Sequence, residues 1–437
     1  MDFVIPLICF FGGLGVLLLI GMPVAIAFTV VNLIGVYVYW GGSIGISQLI
    51  LSIDSSVSSF VLVPIPMFIL MGTVMFHSGV AYRMIDVLDQ WLGRIAGRLA
   101  VLAVAAGALF ATLTGVAMGS VAMLGSTLVP DMERRGYDRS LALGTVLASG
   151  SLAILIPPSA LAVILASIGK FSVGKLLIGI IVPGLLLACV YACYIVVRCM
   201  LQPSLAPPYS VERQPLGARL RDTLVYVVPP LSMIAIIVGL IFAGVATPTE
   251  AAALGTVLSF IVAACYGKLT WPVIQTAVAS ATSLSIMVLM VLTGSAAFSQ
   301  LLSFSGVTSG ITELATGLNV HPIVIMILMQ LVVIVLGMFI EQTSIVLVTI
   351  PIFMPIVAAM RWDPIWFGAI MMLNLEMATI TPPFGLSLFV MKGIAPRGTT
   401  MTDIYRSALP FIGLNILVMA LMIAFPGIVQ WLPNQMK

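Results

Sequence analysis

Long apolar runs separated by short polar segments make up most of this chain, and they fall into two sets of six. About 20 apolar residues are enough for a helix to cross a bilayer. The pattern therefore predicts an all-α polytopic membrane protein, and the composition agrees, with 61% hydrophobic residues, 8% charged residues and a mean hydropathy of +1.23. The first run has no basic residue before it, so we interpret it as a span rather than a secretory signal. The runs are 3–20, 23–40, 60–77, 99–130, 140–169 and 176–199, then 224–245, 248–266, 285–303, 321–357, 364–391 and 407–432.

Prolines recur at one offset between the two sets. Pro23, Pro130, Pro157 and Pro158 reappear 225 residues later as Pro248, Pro355, Pro382 and Pro383. A fixed offset of this kind indicates internal duplication. We predict two repeats, 1–205 and 224–437, joined by a polar cytoplasmic linker at 206–223.

Each repeat contains a proline pair in the middle of an apolar run. The first lies in Leu155-Ile156-Pro157-Pro158-Ser159 and the second in Thr381-Pro382-Pro383-Phe384-Gly385. Adjacent prolines remove two backbone donors and clash with the preceding turn, so the helix breaks there. A break within the membrane is costly unless it lines a polar cavity or binds something, and paired interrupted helices are typical of a transporter's binding site. A simple proline kink is the alternative.

Two runs, 99–130 and 321–357, are too long for one crossing and too short for two. Each has a polar middle, at 112–115 and at 341–344. This pattern favours a re-entrant hairpin with a non-helical tip shielded by protein. One long tilted helix, with Gly115 and Gly119 as a packing face, is the alternative.

Hairpins return to the side on which they started, so each half would cross the membrane five times and the second half would be inverted. This topology places 14 of the 18 Lys and Arg residues on one side, which the positive-inside rule makes cytoplasmic. Residues 83–98 mix charged and apolar side chains at helical spacing, which predicts an amphipathic helix in the interface. We expect scaffold spans in 1–82 and 224–303, the interfacial arm helix at 83–98, a hairpin and a broken helix in 99–169 and in 321–391, and closing spans at 176–199 and 407–432.

A helix break offers carbonyl oxygens to a small cation, and the half-helix that follows directs its positive dipole end toward an anion. One hairpin tip facing one break would make one ion site, and the repeat makes two. The first-site candidates are Thr114, Gly115, Ser151, Ala153, Ile156 and Pro158. The second-site candidates are Glu341, Thr343, Ala378, Thr379, Thr381 and Pro383. The substrate candidates, between the two sites, are Gly119, Ser120, Ser159 and Ser344.

Three acids lie within apolar runs, where carboxylates are expensive and usually functional. Glu341 is at a predicted hairpin tip, which favours a functional role. Glu250 either caps a helix together with Thr247 or has a functional role. Glu376 either bridges helices or belongs to a site. The five cysteines and two histidines form no metal-binding pattern, and we interpret the cysteines as packing residues.

Several motifs together resemble the large membrane subunit of tripartite ATP-independent periplasmic (TRAP) transporters, over essentially the whole chain. The resemblance implies sodium-coupled uptake of an organic acid anion by an elevator-type movement, in the bacterial inner membrane. It also implies a small four-helix membrane subunit, a periplasmic binding protein and membrane lipid as partners, sodium as the only metal, no cofactor and no nucleic-acid partner. Ala153 and the tip at 114–117 depart from the commoner family pattern. The motifs are 21–23, 64–67, 136–138, 149–152, 156–159, 246–251 and 380–383.

Other function classes are open at this point. A stand-alone ion-coupled carboxylate transporter would share the same breaks. The permease of an ATP-driven importer would need a separate ATPase, because this chain has no GxxxxGK[ST] loop. An intramembrane enzyme is disfavoured, because no nucleophile–base pair and no HExxH motif stands out.

Overall fold

The computed structural model describes residues 3–93, 95–114, 117–207, 215–317 and 320–436. These residues are almost entirely helical, and no strand occurs among them. The first half holds α1 Val4–Leu19, α2 Val24–Tyr39, α3 Ser43–Val57, α4 Pro64–His77, α5 Val80–Trp91, α6 Arg98–Thr114, α7 Ala117–Arg134, α8 Arg139–Ser151, α9 Ala160–Gly169, α10 Val173–Gly179 and α11 Ile181–Leu201. The second half holds α12 Leu216–Asp222, α13 Val228–Phe242, α14 Pro248–Cys265, α15 Trp271–Phe304, α16 Val307–Gly317, α17 Pro322–Gly337, α18 Gln342–Ala359, α19 Pro364–Thr379, α20 Leu386–Ile394, α21 Met401–Ala424 and α22 Gly427–Gln430.

The helix bounds follow the 225-residue offset of the prolines. Adding 225 to the bounds of α7, 117–134, reproduces those of α18, 342–359. The same shift takes α6, α8 and α9 to within three residues of the bounds of α17, α19 and α20. The orientation of the two halves across the membrane stays a prediction.

Both overlong runs are divided into two helices. In the first run α6 ends at Thr114 and α7 starts at Ala117. In the second run α17 ends at Gly337 and α18 starts at Gln342. The members of each pair pack against each other, so one long tilted helix does not describe either run.

The amphipathic helix predicted at 83–98 has different bounds in the structure. The helix, α5, spans Val80–Trp91, and its Met84, Ile85 and Val87 are buried. Gly93 and Gly97 both adopt left-handed φ angles, of 58° and 70°. Such angles end an α-helix and suit glycine, which is why the helix cannot continue to residue 98.

Three further bounds depart from the predictions. The polar linker at 206–223 is helical from Leu216 onward, because α12 runs through a π-helical turn at 223–227 into α13. The α3 helix, with Ser43, Ser47 and Asp54 among its residues, was absent from the apolar runs because its polar positions interrupt them. The predicted span at 285–303 is the second part of α15, whose 34 residues extend about 51 Å.

Helices from both halves form a scaffold bundle around α2, α4, α14 and α15. Three side-chain hydrogen bonds to distant carbonyls join these helices. Asn32 Nδ2 donates to Gly294 O (2.7 Å), Thr256 Oγ1 to Met67 O (2.9 Å) and Thr73 Oγ1 to Ala277 O (3.1 Å). The bundle is therefore built jointly by the two halves.

The site-bearing helices of the two halves pack reciprocally. The half-helix after the first break, α9, lies on α18, and the half-helix after the second break, α20, lies on α7. A Cβ placed on Gly125 of α7 would lie 2.1 Å from Ile394 Cδ1, so the α7–α20 contact is tight. The two closing helices pack on the site-bearing helices. A Cβ on Gly144 of α8 would lie 2.2 Å from Ser407 O of α21, and α11 packs on α6.

Seven helical segments of the described ranges are long and apolar enough to cross a membrane. They are 60–77, 173–201, 216–242, 248–265, 271–304, 342–359 and 401–424.

Candidate functional site

The first break is enclosed by protein on all sides. A single 3₁₀ turn, Leu152–Ile154, follows α8, and all residues from 152 to 159 are buried. The backbone of α11 closes over this segment, because a Cβ on Gly184 would lie 2.8 Å from Leu155 O. The Ser159 hydroxyl caps α9 by accepting a hydrogen bond from the Ala162 amide (3.3 Å).

The described part of the first hairpin packs against the start of this break. A Cβ on Gly150, at the end of α8, would lie 2.3 Å from Val121 Cγ2 and 2.8 Å from Val121 N, in the second turn of α7. The start of α7 therefore lies directly against the end of α8. Of the first-site candidates, Ala153, Ile156 and Pro158 lie inside the buried break. Gly115 and the side chains of Thr114 and Ser151 lie outside the described residues.

The second break is partly open. It contains residues 380–385, and Pro383 and Phe384 are exposed, whereas Gly385 is buried. A Cβ on Gly385 would lie 2.4 Å from Thr379 O and 2.9 Å from Thr381 O, so two predicted carbonyl ligands converge beside this glycine. Only a residue without a Cβ permits that approach.

Three of the predicted carbonyls of the second break already accept hydrogen bonds, and one of them is Thr381 O, which accepts from the Gly385 amide (3.2 Å). Ala378 O accepts from the Thr381 amide (3.2 Å), and Pro383 O accepts from the Tyr405 hydroxyl (2.7 Å). A carbonyl has two lone pairs, so each oxygen retains a second position for a ligand. Tyr405 is a neighbour of the break that the sequence did not suggest.

Glu341 is the N-cap residue of α18, at the tip of the second hairpin. Its carboxylate accepts hydrogen bonds from the Thr343 amide and hydroxyl, both at 2.9 Å, and from the Ser344 amide at 3.4 Å. The negative charge thus occupies the positive end of the α18 dipole. The cap joins Glu341, Thr343 and Ser344 into one cluster.

Several contacts hold this tip against the end of α19. Gln342 Nε2 donates to Leu375 O (3.1 Å), and a Cβ on Gly337 would lie 2.3 Å from Ala378 Cβ. The rings of Phe339 and Phe384 lie 5.3 Å apart, centroid to centroid. The structure therefore brings the Glu341 cluster and the end of the broken helix together, as the sequence predicted.

The sequence analysis missed a buried amide pair that joins the second hairpin to the broken helix. Asn374 Nδ2 of α19 donates to both the backbone oxygen and Oε1 of Gln330 on α17, each at 2.8 Å. Both side chains are buried. Their signal in the sequence is that each is an uncharged polar residue inside an apolar run.

The substrate candidates all lie near helix starts. Gly119 and Ser120 are in the first turn of α7, Ser159 precedes α9, and Ser344 is near the start of α18. Ser120, Ser159 and Ser344 are buried, and no heavy atom lies within 4 Å of a Cβ placed on Gly119. A Cβ at Gly119 would therefore point into open space, as it would at Gly413 of α21.

The structure shows the positions of two acids outside the second hairpin tip. Glu250 forms a capping box with Thr247, because its Oε2 accepts hydrogen bonds from the Thr247 amide and hydroxyl, both at 2.8 Å. This geometry is that of a helix cap. Glu376 is fully buried on α19, one turn before the second break. In the described part of the chain, His, Cys, Asp and Glu do not form any group of three that could hold a metal.

Comparison with known proteins supports the resemblance to TRAP transporters. A family model described as the DctM component of the tripartite ATP-independent periplasmic transporter matches residues 11–428. A C4-dicarboxylate TRAP transporter large permease protein of Pseudomonas aeruginosa is 35% identical over 380 residues, covering 86% of each chain. An ectoine TRAP transporter large permease protein of Halomonas elongata is 32% identical and covers 95% of this chain and 96% of its own.

The fold is also similar to that of a solved membrane transporter. The YdaH transporter of Alcanivorax borkumensis aligns with a TM-score of 0.64 over 88% of this chain and 89% of its own, at 16% identity. The named relatives are permease subunits of transporters rather than enzymes. The chain therefore belongs to the DctM component family of tripartite ATP-independent periplasmic transporters, as a multi-pass large permease subunit.

Proposed function

We propose that this chain couples sodium entry to the import of an organic acid anion across the bacterial inner membrane. A periplasmic binding protein would deliver the anion, and a small four-helix membrane subunit would complete the complex. Family membership supports an ATP-independent mechanism, which disfavours an ATP-driven importer. The need for partners, rather than stand-alone transport, is part of the proposal.

The observation that carries this proposal is the second break with its hairpin tip. The end of α19 presents its carbonyl oxygens and its negative dipole end, and a carboxylate stands at the adjacent tip. Oxygen ligands with a nearby negative charge suit a hard cation. The positive ends of α7 and α9, without a capping carboxylate, suit the anion.

An elevator movement fits the packing. The reciprocal α9–α18 and α7–α20 contacts join both site-bearing segments, 99–169 and 321–391, into one body. The closing helices α11 and α21 pack on that body and are linked by a hydrogen bond from Asn415 Nδ2 to Tyr191 Oη (2.6 Å). We propose that this body slides as a unit against the scaffold bundle, with α5 as an arm at the membrane surface.

The coupling is tested by uptake into proteoliposomes that contain this chain and its cognate small subunit, with the cognate binding protein outside. We expect uptake to need an inward sodium gradient, to proceed without ATP, and to rise with sodium concentration with a Hill coefficient above one. Potassium replaces sodium in the control. Uptake driven by a proton gradient alone, and indifferent to sodium, would contradict the proposal.

The movement is tested with two disulfides in a background without the five native cysteines. Ser295→Cys with Leu347→Cys joins the scaffold to the moving body, where Ser295 Oγ donates to Leu347 O at 2.5 Å. This crosslink should stop uptake until it is reduced. Gly125→Cys with Ile394→Cys joins two parts of the body and should leave uptake intact. Equal inhibition by both crosslinks would exclude sliding of a single body.

A further inference from the structure

A long groove lies on the surface of α11, with Leu414 of α21 at its side. Its volume is about 850 Å³. Sites for small molecules are typically about 300–1,000 Å³, so the groove is large enough to hold an acyl chain. It is lined by Leu186, Cys189, Val190, Cys193, Tyr194, Val197, Arg198, Leu201, Gln202 and Leu414.

The lining forms one stripe along α11. Eight of the lining residues fall at 186, 189, 190, 193, 194, 197, 198 and 201, the spacing of a single helix face. From Leu186 to Leu201 the stripe extends about 22 Å, which exceeds half of a roughly 30 Å hydrocarbon core. An acyl chain of one leaflet can therefore lie in the groove over its full depth.

One end of the groove is cationic and the rest is apolar. Arg198 is in the last turn of α11, and Gln202 follows it. The lining includes no Asp or Glu. A basic group at the end of an apolar groove between membrane helices is complementary to the anionic headgroup of a phospholipid.

Tyr194 holds the Arg198 guanidinium at this end. Arg198 Nη1 donates to Tyr194 Oη (2.5 Å), and Arg198 Cζ lies 5.7 Å from the centre of the Tyr194 ring. The planar guanidinium matches the geometry of a phosphate through paired N–H donors. The site is thus preorganised, with the donor fork fixed at the mouth and an apolar groove behind it.

We propose that this groove binds one phospholipid with a net anionic headgroup, its phosphate at Arg198 and an acyl chain along α11. The helices that form the groove pack on the site-bearing body, through Asn415 and Tyr191 between α21 and α11 and through Gly144 and Ser407 between α8 and α21. A lipid bound here would travel with that body.

Native mass spectrometry of the delipidated full chain, titrated with phosphatidylglycerol or phosphatidylcholine, tests the proposal. We expect one phosphatidylglycerol to bind in preference to phosphatidylcholine. Arg198→Gln should weaken phosphatidylglycerol binding about tenfold or more, because a charge-assisted hydrogen bond to the phosphate is lost. The matched control, Arg221→Gln on α12, lies outside the groove and should bind as the wild type does.

A second variant fills the groove without changing its charge. Cys193→Trp should abolish binding of either lipid to this site while the protein remains monodisperse. Equal phosphatidylglycerol binding by wild type and Arg198→Gln would overturn the proposal, and so would equal loss in the Arg221→Gln control. Displacement of the lipid by inorganic phosphate would make this an ion site, and its displacement by the small membrane subunit would make it a protein interface. Either result would exclude the lipid.

Discussion

The two helix breaks share a proline pair and an offset, yet they differ in what surrounds them. All residues from 152 to 159 are buried, and the backbone of α11 at Gly184 closes over Leu155. In the second break Pro383 and Phe384 are exposed, and the Pro383 carbonyl is held by Tyr405 of α21. One break is thus part of the protein interior, while the other reaches the surface of the chain at Pro383 and Phe384.

The hairpin tips differ in charge. Glu341 caps α18, whereas the residue 225 positions earlier, Val116, has no charge. A carboxylate at the second tip attracts a cation and repels an anion, and the first tip does neither. The two duplicated tips have therefore diverged in charge, which agrees with the proposal that the second half binds the cation and the first half the anion.

The largest expected effect is from removal of the breaks. Pro157→Ala with Pro158→Ala, or Pro382→Ala with Pro383→Ala, should abolish uptake, because an interior proline costs a helix about 3 kcal/mol and its removal lets the carbonyls return to helical hydrogen bonds. The enclosed first break should also lose thermal stability, because its buried residues must repack, and the open second break should not. Uptake and melting temperature are measured together.

Pro410→Ala, inside α21 and outside both breaks, is the control for these variants. Normal uptake in either double variant would show that break to be a simple kink. Equal changes in melting temperature in the two double variants would show that the difference in burial between the two breaks does not affect stability.

Neutralising the second tip should give the next largest effect. Glu341→Gln keeps a cap oxygen but removes the charge, so the sodium concentration for half-maximal uptake should rise about tenfold, equivalent to about 1.4 kcal/mol. Glu250→Gln changes a cap of the same chemistry on the exposed start of α14. It should leave the sodium dependence unchanged. The measurement is the initial uptake rate against sodium concentration, and matching shifts in the two variants would refute the special role of Glu341.

Adding a methyl group where two helices approach closely should lower stability moderately in both halves. Gly150→Ala meets Val121, including its backbone nitrogen, and Gly337→Ala meets Ala378 Cβ. Each should cost about 1–3 kcal/mol by overpacking. Gly413→Ala on α21 has no atom within 4 Å of its new Cβ and should be neutral or slightly stabilising. Thermal unfolding in detergent measures all three, and a control as unstable as the others would remove the packing explanation.

The smallest effect should come from Tyr405→Phe, which removes one hydrogen bond at the open break. The variant should lose about 1 kcal/mol of stability. It also releases the Pro383 carbonyl, so the sodium dependence of uptake should shift slightly if that oxygen is a ligand. Tyr191→Phe, which loses the bond to Asn415 far from the break, is the matched control. Identical sodium curves for wild type and Tyr405→Phe would leave Pro383 out of the ion site.

The sequence alone was enough for the helical membrane class, the 225-residue offset and the position of both breaks. These features depend on local properties, because apolar length decides a span and a proline pair ends a helix wherever it occurs. The cap geometry of Glu341 was similarly within reach, since a cap is formed within one turn of its own helix. Its position at a hairpin tip was predicted from the polar middle of the run.

Tertiary structure alone decided what surrounds each element. The enclosure of the first break depends on Gly184, and the amide pair of Gln330 and Asn374 joins residues 44 positions apart. The reciprocal packing of α9 on α18 and of α20 on α7 joins opposite halves of the chain. None of these contacts has a local pattern, because burial and helix approach depend on which distant surfaces meet, and nearly identical apolar stretches can meet in many ways.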